Sequence, residues 1–203
     1  FVVMSSGQKG PSGGNGNWSS GFLPTVHDGV SFNSVGDPVL YLSNPKGITR
    51  ESQRRTIDAV NFLNHMRFES IGDPEINSRV AAFEMAFRMQ DVAPEVTDIS
   101  REPEDIRKLY GAEPGKASFA NNCLLARRLV ERGVRFVSIF TGNQTWDHHS
   151  SILTGLPAAC LQVDQPAAAL VMDLKQRGLL DTTIVHWGGE MGRLPVKIGR
   201  AHV

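Results

Sequence analysis

The strongest constraint in this sequence is a pair of β-branched and aromatic runs, each left through a polar, glycine-containing loop. Val134-Arg135-Phe136-Val137-Ser138-Ile139-Phe140 is one run and Thr182–Trp187 is the other. Residues of this kind suit a pleated, buried surface. Between the runs, apolar positions recur at helical spacing from about Pro157 to Gln176, with a kink or restart at Asp164-Gln165-Pro166 and a stop at Gly178. Two strands joined by a helical crossover lie parallel. The expected fold is therefore α/β: a mostly parallel sheet flanked by helices. In such sheets ligands bind outside the carboxyl ends of the strands. Loops 141–151 and 188–195 follow the two runs and are the expected seat of function.

The rest of the chain fits this frame. Phe1-Val2-Val3-Met4 has strand character, whereas residues 5–47 are rich in Gly, Ser, Asn and Pro and read as loop. A short strand is expected at Pro38–Leu42. Thr49 is placed to cap a helix whose apolar face is Ile57, Val60, Phe62-Leu63 and Met66, broken at Gly72. Asp73-Pro74-Glu75 reads as N-cap, Pro at N1 and acidic first turn of a second helix. That helix carries Ile76, Val80, Phe83 and Phe87 and is expected to end before Pro94. Residues 94–117 read as a long connection with one helical turn near Glu104–Leu109. Ser118 caps a further helix with Phe119, Cys123, Leu124, Leu129 and Val130 inward, ending at Gly133. Arg127-Arg128 reads as a solvated or ion-paired face of that helix.

Composition excludes some classes. The 203 residues carry 21 Lys+Arg against 21 Asp+Glu, a net charge of zero, with no basic block. Nucleic acid and anionic membranes are therefore poor partners. No apolar run is long enough to span a bilayer, and two cysteines are too few for a disulfide framework. Cys123 and Cys160 sit on helical faces and read as core rather than reactive thiols.

Three constellations bear chemistry. Trp146-Asp147-His148-His149 lies just past a strand end, where a carboxylate and an imidazole at i and i+2 can reach one divalent cation. The plain alternative is a surface loop with a capping Asp and solvated histidines. Gly188-Gly189-Glu190-Met191-Gly192-Arg193 follows the second run, and Glu190 there suits a metal ligand or a base beside one. Its alternative is a tight turn with Glu190 paired to Arg193. Gly10-Pro11-Ser12-Gly13-Gly14 spells G-x-S-x-G, but a nucleophile elbow needs a strand straight in and a helix straight out, and neither is expected here. His27, His65 and His186 have no ligand-spaced partners.

These residues together resemble a bacterial family called domain of unknown function 1501. The likeness is carried by Pro11-Ser12-Gly13-Gly14-Asn15 with Trp18, Gly21-Phe22-Leu23-Pro24, Asp37-Pro38-Val39-Leu40 and Asp73-Pro74-Glu75-Ile76. It continues through Tyr110-Gly111, Cys123–Phe136, Trp146–His149, Val163-Asp164-Gln165-Pro166, Leu174–Leu180 and Trp187–Arg193. The resemblance implies an alkaline-phosphatase/sulfatase-like α/β fold with divalent metal at the strand ends. It implies that Asp147 and His149 fill the family's W-D-x-H pattern as metal ligands, with His148 at the variable position. Glu190 would be a further metal ligand and Arg193 the residue that orients that loop or meets the anionic ester. Leu194 stands where the family has Thr, which removes any hydroxyl role there. Ser12, Asn15 and Trp18 would line the substrate side. The ions implied are zinc, calcium, magnesium or manganese.

The implied activity is metal-dependent hydrolysis of a phosphate or sulfate ester on a small molecule or glycan. The alternatives are a non-catalytic binding or surface protein on the same fold, or a metal-independent serine hydrolase using Ser12. The family is typically exported through a twin-arginine signal, which implies a periplasmic or extracellular location.

Two family segments are not found: one resembling G-G-P-S-x-x-D, expected before Phe1, and one resembling G-R-D-H-H, expected after Arg193. Residues 1–197 are accordingly read as a partial sulfatase-like domain, truncated at both ends and inactive by itself. Ile198–Val203 coincides with one reading frame of a common sequencing adapter, and 198–203 is read as a non-native tail. Resequencing the native locus checks this. The gene is expected to continue from Lys197 into different codons; an intact locus encoding Ile198–Val203 contradicts it.

Overall fold

The computed structural model describes residues 1–6, 13–24, 27–33, 39, 42–148 and 152–189. Among them three strands form one parallel sheet: β1 (Val2–Ser5), β2 (Val30–Phe32) and β3 (Val137–Phe140), in the order β2-β1-β3. Val2 is level with Val30 on one side and Val137 on the other, and Met4 with Phe32 and Ile139. Val2, Val3 and Met4 are all buried, as expected of a central strand covered on both faces. Val2, Met4 and Phe32 pack with Leu125, Ala126 and Leu129 of one helix, with Val96 of another completing the cluster.

The helix of Leu125, Ala126 and Leu129 is α4 (Phe119–Glu131), capped by Ser118 Oγ, which accepts from the Asn121 N–H. The other helices are α1 (Arg50–Ile71), α2 (Pro74–Thr97), α3 (Glu104–Tyr110) and α5 (Ile152–Gln176). The expected caps are observed: Thr49 Oγ1 accepts from Ser52 N–H, and Asp73 accepts from Glu75 N–H ahead of Pro74. The fold is thus mixed α/β with a small parallel sheet.

Several expectations need correction. α2 does not end before Pro94 but runs on to Thr97. Ala93 and Val96 are buried, Thr97 Oγ1 donates to Ala93 O at 2.8 Å, and Arg128 donates to the carbonyls of Glu95 and Val96. Tertiary contacts thus hold a last turn that proline alone would forfeit. α5 begins at Ile152, ahead of the expected Pro157, and passes through Pro166, which is buried. Thr182–Trp187 forms no strand: Leu180–Thr182 is a 3-10 turn and 183–189 has no ladder pairing. Ile184 is 94% exposed there. A β-branched run becomes a strand only where a neighbour supplies cross-strand contacts. The parallel sheet is built instead by β1 and by β2, the latter lying in a stretch read as loop. The short strand expected at Pro38–Leu42 falls largely outside the described residues; Leu42 N–H donates to Val39 O, a turn contact.

The lower half of α4 is fastened by buried charge. Arg127 and Arg128 are not solvated but buried and ion-paired. Arg127 pairs with Glu102, Glu131 and Asp173, and Arg128 pairs with Glu102. Asp173 of α5 also accepts from Tyr110 Oη of α3 at 2.9 Å and pairs with Arg177 at 2.7 Å. Three helices and the turn before α3 therefore meet on one cluster. Beside it, Gly111 ends α3 at φ +68°, and a Cβ there would lie 3.1 Å from Gln165 Oε1. The Gln165 amide donates to the Lys108 and Leu109 carbonyls, closing the end of α3 onto α5.

Burial opposes ionisation of Glu102, but hydrogen bonds and charge from Arg127 and Arg128 outweigh it and hold its carboxyl below the ordinary value. Its contribution to stability is complete above the unfolded-state value of about 4.3 and is lost as pH falls through the lower folded value. Acid unfolding followed by circular dichroism is expected to become shallower in Glu102→Gln; an unchanged acid limb contradicts this. Asp173→Ala removes one of the three carboxylates around the buried Arg127 and the acceptor of the buried Tyr110 hydroxyl, and is expected to cost about 1–3 kcal/mol in urea unfolding.

Candidate functional site at the carboxyl end of the sheet

Because all three strands are parallel, Ser5, Phe32 and Phe140 end on one side of the molecule. α4 leads into β3 and so starts at that same side. Asn122 Nδ2 donates to Ser6 Oγ at 2.9 Å, and Ser6 N–H donates to Phe140 O at 2.9 Å. Asn122 is fully buried. Its Oδ1, and the Oγ of Ser5, are buried with no hydrogen-bond partner among the described residues. Polar atoms left so cost free energy unless water or a ligand meets them.

The loop after β3 carries the strongest sequence motif. Gln144 sits in left-handed backbone at φ +56°, Thr145 Oγ1 donates to Gly142 O, and Asp147 N–H donates to Gln144 O at 3.1 Å. These bonds roll the loop so that the Asp147 side chain is exposed beyond the strand end, while Trp146 and His148 are half-buried. The His148 imidazole lies against Gly155 in the first turn of α5. A Cβ on Gly155 would come 2.6 Å from His148 Nδ1, so only glycine admits the ring. His148 Nε2 is buried without a hydrogen-bond partner among the described residues.

Trp18 closes a 3-10 turn, Gly14–Trp18, and its indole lies 6.4 Å from the Phe140 ring. Asn15 lies in the same turn. The structure thus places the Asp147 loop after β3 and the Trp18 ring near Phe140, while the Trp18 main chain is held just ahead of β2, where the Gly29 N–H donates to Trp18 O at 2.7 Å. Ser12, His149, Glu190 and Arg193 lie outside the described residues. Among the described residues no three His, Cys, Asp or Glu side chains are grouped to hold a metal.

Sequence reasoning missed Ser6, Asn122 and the Phe119–Trp187 pair, whose rings are 6.2 Å apart at the start of α4. The available signal was Asn121-Asn122 in the first turn of an otherwise apolar helix face. An amide placed among buried apolar residues requires a partner.

Cys123 offers no alternative nucleophile. It is buried among Leu124, Tyr110 and Ala169, and burial pushes its thiol up to about 12. Alkylation by iodoacetamide at pH 8 is expected to spare Cys123 in the folded protein and modify it only on unfolding. Rapid labelling of Cys123 in the folded state contradicts this.

No curated protein and no solved structure matches the chain. The family described as Protein of unknown function (DUF1501) matches residues 1–203, and the chain belongs to that family.

Proposed function

We propose that this chain belongs to a metal-dependent hydrolase of phosphate or sulfate esters, with an alkaline-phosphatase/sulfatase-like arrangement of the sheet and its site. The observation that carries the reading is the position of the Asp147 loop. It leaves the carboxyl end of a parallel strand beside the start of α4, on the side where α/β sheets bind ligands.

The donor chemistry available there suits a divalent cation. Asp147 presents an exposed carboxylate, a hard oxygen donor, with imidazoles directly following it in sequence. Asp147 and His149 would hold one cation, and Glu190 would serve a neighbouring one. When bound, such ions supply charge neutralisation and an activated nucleophile. Arg193 would meet the ester oxygens, since its planar fork suits tetrahedral oxyanions. The first turn of α4 adds the positive end of a helix dipole to the same side, which favours an anionic ester. Asn122 would fix the exit of β1 through Ser6.

The test is metal content in the protein carrying its native flanking sequence. Asp147→Ala is expected to weaken metal binding at least about 10-fold, whereas His148→Ala leaves it in place. Equal loss from both substitutions contradicts the ligand assignment. Full metal occupancy in Asp147→Ala contradicts the site.

A further inference from the structure

α1 is 22 residues long, yet none of them is buried among the described residues. One side of it is accounted for by α2. Arg54 and Asn61 donate to the Glu84 carboxylate, and Ile57, Val60, Asn64 and Phe68 are half-buried. The other side has no such cover. Phe62 is 65% exposed, Leu63 63% and Met66 54%. With Ala59, also exposed, they stand at the i, i+3, i+4, i+7 spacing that makes one continuous helix stripe. Periodicity alone joins Phe62, Leu63 and Met66 to Ile57 and Val60 as a single apolar face; the structure divides them between two sides of the helix.

A stripe of this kind on a folded protein marks an interaction surface. The charges at its ends indicate the partner. Arg55 lies seven residues before Phe62 and Glu69 seven residues after it. Seven residues are about two helical turns, so each stands about 10.5 Å from Phe62 along the axis and within about 20° of the same line. Both are exposed, and neither makes an ion pair among the described residues, although Arg50, Arg54 and Asp58 of the same helix all do. The stripe is therefore positive at one end, apolar in the middle and negative at the other. Laid antiparallel on its own copy about a two-fold axis at Phe62, it sets Arg55 of each chain against Glu69 of the other and apolar residues against apolar ones. A parallel copy would set Arg55 on Arg55 and Glu69 on Glu69.

We propose that the outer face of α1 is an interface between two copies of this chain, packed antiparallel across Phe62. The interface is independent of the hydrolase reading.

The experiment is analytical sedimentation of the protein with its native flanking sequence from about 1 to 200 μM. The average mass is expected to rise from one chain towards two. Phe62→Glu should abolish the dimer. Arg55→Glu and Glu69→Arg should each weaken it about 10-fold, because each turns both ion pairs into like-charge contacts. Arg55→Glu combined with Glu69→Arg in one chain should recover the dimer. So should an equimolar mixture of the two single variants, in which one chain carries two acids and the other two bases at these positions. The three side chains are exposed, so every variant should keep the native circular dichroism spectrum.

A mass of one chain at every concentration overturns the proposal and gives the stripe to the flanking sequence or to another protein. A dimer that survives Phe62→Glu overturns the assignment to this face. Single reversals whose loss neither the combined variant nor the mixture recovers overturn the antiparallel pairing.

Discussion

The buried cluster around Arg127 is the interaction on which the rest of this structure depends. Its guanidinium meets Glu102, Glu131 and Asp173, and the neighbouring Arg128 shares Glu102 and reaches the carbonyls at the end of α2. α2, α3, α4 and α5 are thereby tied together with the connection between α2 and α3. The same helix α4 packs Leu125 and Leu129 beneath the sheet and, at its other end, holds Ser6 through Asn122. One helix therefore carries both the electrostatic anchor and the floor of the candidate site. Removing one member of the cluster leaves an unbalanced charge in a buried place, which is why such groups occur buried as a mutually paired set.

The alternation of anchor and site along α4 also explains their different chemistry. Charges at the Arg127 end are matched by opposite charges, and Asp173 is further met by Tyr110. At the Asn122 end the polar groups are neutral and two atoms, Ser5 Oγ and Asn122 Oδ1, stay unmatched among the described residues. A folded scaffold satisfies its own polar groups where it can, and those it leaves open mark where water or a ligand completes it.

Local chemistry was legible in the sequence wherever the signal was local. Thr49, Asp73 and Ser118 cap the helices they were read to cap, because an N-cap side chain bonds backbone within three residues of itself. Pro94 and Thr182–Trp187 misled for the opposite reason. The run of α2 past Pro94 depends on Arg128, distant in sequence, and a β-branched run without a pairing neighbour stays unpaired. Arg127 and Arg128 left burial undecided from sequence, since Glu102 and Asp173 lie on other elements and only Glu131 shares α4 with them. The Asp147 loop was readable from its motif and its place after a strand, whereas Asn122 matters only once β1 and α4 are brought together in space.

The central claim is that the carboxyl end of the sheet serves ester hydrolysis with bound metal. It is tested most directly by assaying the protein, with its native flanking sequence, for metal content and for phosphate- and sulfate-ester hydrolysis before and after chelation. The account predicts bound divalent metal and hydrolysis that chelator abolishes and metal restores. A protein that binds no metal and cleaves neither ester, or one whose hydrolysis survives chelation unchanged, would contradict it.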